Sequence, residues 1–342
     1  MRSQKKIKTE DAVGTMLAHD ITRIVPGEFK GVGFKKGHLI QQEDIPELLK
    51  IGKEHIYILE LREDELHEDD AAIRIARSIA GENLTWSEPS EGKSTLTSDK
   101  DGILKINTEG LLQINRLENI IVATLKTAYP CQKNQPIAAA RIIPLFIERD
   151  KIERVEKIAA EFQPIVGVLP YKKLRVGGVV TGSEIYKGLI KDEFETYVGK
   201  KVLDYGCELV KKIIVPDDPA AITGAVLELK ALECDLILTT GGMSVDPDDV
   251  TKVGIKQAGV DVISYGSPIL PGAMFLYGLL GNTTVLGLPA CVFYHQTTIY
   301  DIVLPRVLSG EIITRDEIAA LGHGGLCMNC EPCRFPECSF GK

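Results

Sequence analysis

From residue 173 onward, apolar strand-like runs alternate with glycine-bearing turns and helical stretches. That alternation constrains the fold more tightly than any other feature of the chain. Residues 173–181 run into Gly182-Ser183-Glu184-Ile185 and a helix around 192–207. Glu208–Val215 leads to a helix over about 219–232, and 235–240 leads to Gly241-Gly242. Strands that alternate with helices pair in parallel through right-handed crossovers, with helices on both faces. Ligands in such sheets sit beyond the carboxyl ends of the strands, where these glycine turns fall. The expected architecture is α/β, with three α/β/α layers around a mostly parallel sheet.

Residues 235–251 concentrate the chemistry. Leu236, Ile237 and Leu238 precede Thr240, Gly241, Gly242 and Ser244, and then Asp246-Pro247-Asp248-Asp249. Glycine lets backbone approach a ligand without Cβ interference, and a following helix aims unpaired N–H groups at the same place, which favours phosphate. Three carboxylates repel a phosphate unless a divalent cation lies between them. The stretch therefore points to phosphate with Mg²⁺, or to phosphate with a catalytic carboxylate. Helix capping is the competing account: Asp246 as N-cap, Pro247 at the first helical position, Asp248 and Asp249 complementing the dipole. Thr181-Gly182-Ser183-Glu184 offers hydroxyls and N–H groups to an oxyanion, with Glu184 placed for metal or substrate; otherwise Ser183 is an N-cap with Glu184 in the first turn. Asp217-Asp218 reads either as part of a cation site or as a cap ahead of Pro219.

Thr239-Thr240-Gly241-Gly242-Met243-Ser244-Val245, followed by Asp249, resembles the signature of the molybdopterin-binding domain of molybdenum cofactor biosynthesis proteins. The Ser-Val pair is closer to the molybdopterin molybdenumtransferase branch than to the adenylyltransferase branch. The resemblance covers roughly residues 170–310. It extends to the turn at Thr181 and to Pro271-Gly272 and Gly287-Leu288-Pro289, which match the positions of a Pro-Gly and a Gly-Leu-Pro turn. It implies cofactor-binding roles for Thr181, Gly182, Ser183, Glu184, Thr240, Gly241, Gly242, Ser244, Pro271, Gly272, Gly287 and Pro289. The implied reaction is molybdate insertion into the pterin dithiolene, with Mg²⁺-assisted hydrolysis of the adenylate to AMP. Asp249, with Asp246 or Asp248, would hold the cation or activate water. Molybdopterin, molybdate and an adenine nucleotide are the implied partners, with a homo-oligomer as the implied assembly. Two departures weaken the insertion chemistry: Ala273 stands where the family tends to carry lysine, and Ala290-Cys291 where it tends to carry Gly-Asn. An oxyanion site without its cation holds molybdate less well. Pterin adenylylation and a noncatalytic carrier or sensor remain the rival readings.

The four-cysteine tail is the second signal. Cys327, Cys330, Cys333 and Cys338 fall at spacings of x2, x2 and x4. Four thiolates so close suit Zn²⁺ or an iron–sulfur cluster. His323 is a spare ligand or a loop residue. Cys291, beside Val292 and Phe293, reads as core rather than as a ligand.

The first half carries no catalytic signature, and only Leu17-Ala18-His19-Asp20 hints at the same family. Residues 1–65 are expected to form a small strand-rich unit with a helix near 43–49 and a strand at 55–59. Lys30, Lys35, Lys36 and His38 make a basic patch, read as a solvated face. Residues 66–164 form a mixed region: a helix over 66–81, a polar loop over 88–101, strands at 102–107, 120–127 and 137–147, and a helix over 149–162. The molybdopterin-binding domain then spans 165–315 and the metal-binding tail 316–342. A net charge of −8 argues against nonspecific nucleic-acid binding. Without an apolar run long enough to span a membrane or an export signal, scattered single cysteines point to a reduced, cytoplasmic protein.

Overall fold

The computed structural model describes residues 5–25, 29–58, 64–244 and 250–341. The chain divides into two compact units, one of residues 1–100, 104–126 and 131–168, the other of 101–103, 127–130 and 169–342.

In the first unit, Ile21–Val25 and Phe29–Phe34 pair antiparallel, and Lys5–Lys8 pairs with His55–Ile58. Ala12, Leu17, Ile21, Ile40 and Leu48 form a small core beneath them. Half of the basic patch is tied into the fold, Lys36 pairing with Asp69 at 2.8 Å and His38 with Asp44 at 2.7 Å, while Lys30 and Lys35 are exposed as a solvated face would be. Leu17 and Ala18 are buried, and Asp20 accepts the Lys36 N–H at 2.8 Å. The LAHD stretch therefore serves this core.

The rest of that unit sets two amphipathic helices, Glu68–Ile79 and Arg149–Glu161, beside an antiparallel sheet of Leu84–Trp86, Lys93–Ser98, Pro136–Ile142 and Ile120–Thr124. Arg74 grips Glu156 with two 2.8 Å bonds and ties the helices together. Lys93–Ser98 corrects the expectation of a loop over 88–101. Its inward positions are Ser94, Leu96 and Ser98, so a buried face reads as polar; the serine hydroxyls donate to Ser87 O at 2.8 Å and Lys100 O at 2.6 Å. The strand expected at 137–147 is two, Pro136–Ile142 and Phe146–Glu148. Helix Thr108–Asn115 has no counterpart in the sequence reading; Asn107 caps it by accepting the Gly110 N–H at 3.0 Å.

In the second unit we label the strands β1 (Arg175–Thr181), β2 (Glu208–Val215), β3 (Leu236–Thr240), β4 (Asp261–Tyr265), β5 (Leu276–Leu280) and β6 (Thr283–Leu288). Its longer helices are α1 (Pro219–Ala231), α2 (Thr251–Gln257), α3 (Ile299–Leu308) and α4 (Arg315–Ala320). The sheet order is β2-β1-β3-β6-β5-β4. β2, β1, β3 and β6 are parallel, while β5 and β4 form an antiparallel edge. Val176, Val179, Val180, Leu236, Ile237 and Leu238 are at most 2% exposed, as strands covered on both faces must be. One core gathers α3 and residues 194–202; a second gathers α1, α2 and the other faces of the same strands. The unit is therefore a three-layer α/β/α domain with a mostly parallel sheet.

Candidate functional site

The parallel register brings the predicted turns to one edge. Thr181 pairs opposite Val215, Val180 opposite Thr240, and Thr240 opposite Leu288. The turns at 181–184, 216–219, 241–244 and 289–291 thus leave the carboxyl ends of neighbouring strands. Leu276 lies opposite Gly287, so the Pro271-Gly272 turn enters β5 at the same edge.

At its centre is a cluster of buried hydroxyls. Thr181 Oγ1 donates to Thr240 O at 3.2 Å and lies 3.0 Å from Thr251 Oγ1. Thr240 Oγ1 is buried and has no hydrogen-bond partner among the described residues. A buried hydroxyl left unpaired costs free energy, so its survival at a ligand edge points to a partner from outside the chain.

Gly241 (φ +89°) and Gly242 (φ +53°) form the bend. A Cβ on Gly241 would collide with the Thr181 carbonyl oxygen, and one on Gly242 would stand 2.5 Å from Thr251 Oγ1. The glycines are therefore required by protein packing and by backbone conformation, a reason the sequence reading, with its emphasis on ligand approach, did not contain. Both residues remain half-exposed on their other sides. Tyr265 fixes the bend from outside, its hydroxyl donating to Met243 O at 2.8 Å. Lys252 Nζ lies 4.1 Å from the Tyr265 ring centroid, a cation–π contact that holds the ring in place.

The first turn is occupied by the chain's own carboxylate. Asp217 Oδ2 accepts the Ser183 N–H at 2.7 Å. Gly182 (φ +143°) is the N-cap and Ser183 the first residue of the single turn Ser183–Tyr186, which corrects the expectation of Ser183 as N-cap. Glu184 is exposed. Asp218 caps α1 by accepting the Ala221 N–H at 2.8 Å, so the two aspartates divide into separate capping roles.

Gly272 (φ +142°) is buried against α3, where a Cβ would approach Ile299 to 2.7 Å. Ser267 Oγ donates to Gly272 O at 2.9 Å, and the Ile299 N–H donates to Pro271 O at 3.3 Å. Gly287 lies inside β6 rather than in a turn. Its missing Cβ makes room for the Met243 side chain, and Pro289 is buried behind it. Ser244 is exposed beside the bend. Asp246, Asp248 and Asp249 lie outside the described residues. Cys291 is half-buried rather than part of the core, and burial pushes its thiol up from its ordinary range.

Cys327, Cys330, Cys333 and Cys338 all line one pocket of about 180 Å³, together with His295 and Thr297. All four are free thiols. Among the described residues, no three His, Cys, Asp or Glu side chains are gathered closely enough to hold a metal. His295 was not singled out by the sequence, whereas His323, the expected spare ligand, does not line this pocket.

The family model described as "Probable molybdopterin binding domain" matches residues 177–309. Residues 177–309 are similar to that family. The match begins in β1 and ends just past α3, so it encloses every turn at the carboxyl edge. A second model, described as a domain of unknown function, matches residues 6–60. A molybdopterin molybdenumtransferase of Haemophilus influenzae is 30% identical over 150 residues, which are 42% of this chain and 37% of that protein. A CinA-like protein of a Mycobacterium strain is 38% identical over 83 residues, 24% of this chain and 20% of that one. The chain thus spans well under half the length of these curated relatives. Among solved structures, the molybdopterin biosynthesis enzyme MoaB of Thermus thermophilus is 23% identical, covers 40% of this chain and 98% of its own, and has a TM-score of 0.33. The tungsten cofactor synthesizing protein MoaB of Pyrococcus furiosus is 22% identical, covers 36% and 85%, and has a TM-score of 0.31. The tail lies beyond the matched segment. Among the described residues no helix is long and apolar enough to cross a membrane.

Proposed function

We propose that the domain at 177–309 binds molybdopterin or its adenylated form in molybdenum cofactor biosynthesis, and inserts molybdate with Mg²⁺-assisted release of AMP. The observation that carries this reading is the meeting of Thr181, Thr240 and the Gly241-Gly242 bend at one edge of a parallel sheet, inside the family-matched segment. The phosphate sits on the 240–242 side, because Asp217 already occupies the Ser183 N–H. Backbone N–H groups of the bend and the unpartnered Thr240 hydroxyl supply its donors.

In this scheme Asp249, with Asp246 or Asp248, holds Mg²⁺ or activates the water that hydrolyses the adenylate. Ser183 and Glu184 line the opposite wall, and Pro271, Gly272 and Pro289 shape the rim. Molybdate and an adenine nucleotide are the co-substrates, a second copy of the chain completes the assembly, and the compartment is the cytoplasm. The tail cysteines hold Zn²⁺ or an iron–sulfur cluster outside the pterin chemistry.

A carrier or sensor without turnover is the second reading. Ala273 and Ala290-Cys291 favour it by removing the residues that would attract molybdate. Incubating the full chain and Mg²⁺, with and without molybdate, with adenylated molybdopterin in one arm and with molybdopterin plus ATP in the other separates the alternatives. Insertion releases AMP from the adenylated pterin only when molybdate is present; adenylylation consumes ATP with free molybdopterin and releases pyrophosphate; a carrier binds the pterin and turns over no nucleotide. Asp249→Asn is expected to slow AMP release by about 100-fold or more, the usual scale for losing an acid–base or metal-holding group. Unchanged turnover would remove Asp249 from the mechanism.

A further inference from the structure

The segment that carries the four thiols is long on anchors and short on regular structure. Past α4, residues 322–341 contain no helix or extended strand, only turns and one isolated bridge. Phe340 is nevertheless 3% exposed and packs into the core around α3. The Gly341 N–H donates to Gly324 O at 2.9 Å, closing the segment into a loop whose two ends meet. A chain piece this small cannot bury enough apolar surface to fix itself, and such pieces are ordinarily cross-linked by disulfides or metal. All four cysteines are half-buried and free.

Four thiols facing one cavity have the chemistry of a metal thiolate site, although no three of them lie close enough together to hold a metal without moving. All four share one pocket, whose volume of about 180 Å³ falls below the roughly 300–1,000 Å³ of sites for drug-sized organic ligands. Asn329 adopts φ +48°, and its N–H donates to Cys327 Sγ at 3.4 Å within the Cys327-x2-Cys330 turn. Thr297 Oγ1 lies 3.2 Å from Cys333 Sγ. Hydrogen bonds to sulfur stabilise the thiolate form that ligates metal and tune the metal it holds.

The loop is also stitched to the ligand edge. The Leu270 N–H donates to Gly325 O at 2.8 Å, and the Cys327 N–H donates to Leu270 O at 2.9 Å. Leu270 immediately precedes Pro271-Gly272. A Cβ on Gly325 would collide with the Pro268 carbonyl oxygen, so the two strands of chain run in close contact there. His295 and Thr297, on the other wall of the pocket, belong to the loop between Pro289 and α3.

We propose that Cys327, Cys330, Cys333 and Cys338 converge on one thiophilic metal centre that closes the 324–341 loop and thereby fixes the Pro271-Gly272 turn. The metal draws together thiols that already face one cavity, and the paired backbones of Leu270 and Cys327 pass that order to the turn. The significance of the turn for ligand binding rests on the pterin reading given above; the metal centre and its grip on the backbone do not.

The test uses the anaerobically purified full chain and needs no pterin. Metal analysis with an absorption spectrum is expected to find either zinc, or iron with broad visible absorption, lost in both Cys330→Ser and Cys333→Ser. Metal-free protein titrated with Co²⁺ should develop the visible bands of a tetrahedral thiolate site, and Cys291→Ser should leave them intact. Hydrogen exchange at residues 268–274 should slow by about tenfold or more on metal binding, as expected when a locally opening segment is tied down. Circular dichroism of the serine variants checks that the sheet persists. Absence of bound metal together with absence of Co²⁺ bands would overturn the metal centre. Metal binding with unchanged exchange at 268–274 would overturn its hold on the turn.

Discussion

The double-glycine bend and the cysteine tail belong to the same compact unit and are stabilised in opposite ways. The bend hangs from two strands whose last residues, Thr181 and Thr240, are 2% and 1% exposed, and it closes on the Thr181 backbone. The tail hangs from a few backbone hydrogen bonds and one buried phenylalanine. A site built on strand ends is preorganised by the sheet before any ligand arrives. A site built on a loop without regular structure owes its order to whatever binds there. Ligand geometry should therefore survive damage to the tail better than the tail survives loss of its metal.

Matching substitutions in the two regions sharpen that contrast. Gly241→Ala carries the largest expected effect, about 3 kcal/mol or more of lost stability in denaturant unfolding, because a positive φ and a collision with fixed backbone add together. A loss under about 1 kcal/mol would show that the bend yields as easily as a loop.

Thr181→Val comes next, at about 1–2 kcal/mol, since it removes a buried donor to Thr240 O and strands the Thr251 hydroxyl. Thermal melts of the two proteins decide it; equal midpoints would mean that the hydroxyl cluster does not brace the edge.

In the tail, Gly341→Ala has the same left-handed φ penalty at +71°, but its Cβ meets the Ile302 side chain, which can move. About 1 kcal/mol is expected, with global unfolding little changed and the effect read mainly as faster exchange at 324–341. A global loss as large as that of Gly241→Ala would erase the distinction between the regions.

The smallest effect is electrostatic. Glu317 on α4 is pushed up by burial, but the Thr314 N–H and hydroxyl and the Arg306 guanidinium outweigh this and hold its carboxyl down at about 2. A depressed folded-state value means that the contribution is complete above the unfolded value near 4.5 and is lost as pH falls from there through about 2. Glu317 is 43% exposed, so solvent screening reduces the effect to well under 1 kcal/mol. An acid titration of stability should show Glu317→Gln diverging from the parent above that window and converging with it at the acid end. Parallel curves would remove the Arg306 pairing from the account.

Much of the second unit was legible in its residues, and the reason is burial. β1 and β3 read as apolar runs because helices cover the sheet, and Pro219 marked the start of α1 to the residue. Lys93–Ser98 was illegible because two of its three inward positions are serines satisfied locally, which periodicity counts as polar. Helix Thr108–Asn115 hid behind Gly110, whose missing Cβ admits Ile165 and Phe162, a contact far along the chain. At the site, Thr181 and Thr240 were found because motif residues fell at strand ends. The role of Asp217 was not found, since nothing local tells which of two adjacent aspartates reaches back 34 residues to Ser183. The glycines were recognised for the right conformation and an incomplete reason, because the atoms that exclude their Cβ lie on another strand and on α2.

The central claim is that the edge formed by Thr240, Gly241 and Gly242 receives the pterin phosphate, and Thr240→Val tests it most directly. The Thr240 hydroxyl has no partner among the described residues, so its removal should leave the melting midpoint unchanged or slightly raised. Calorimetric titration with molybdopterin should show binding to the parent chain and about five- to tenfold weaker binding to the variant, the scale of one lost hydrogen bond. Equal affinity in the two proteins, or no heat with the parent, would contradict the account.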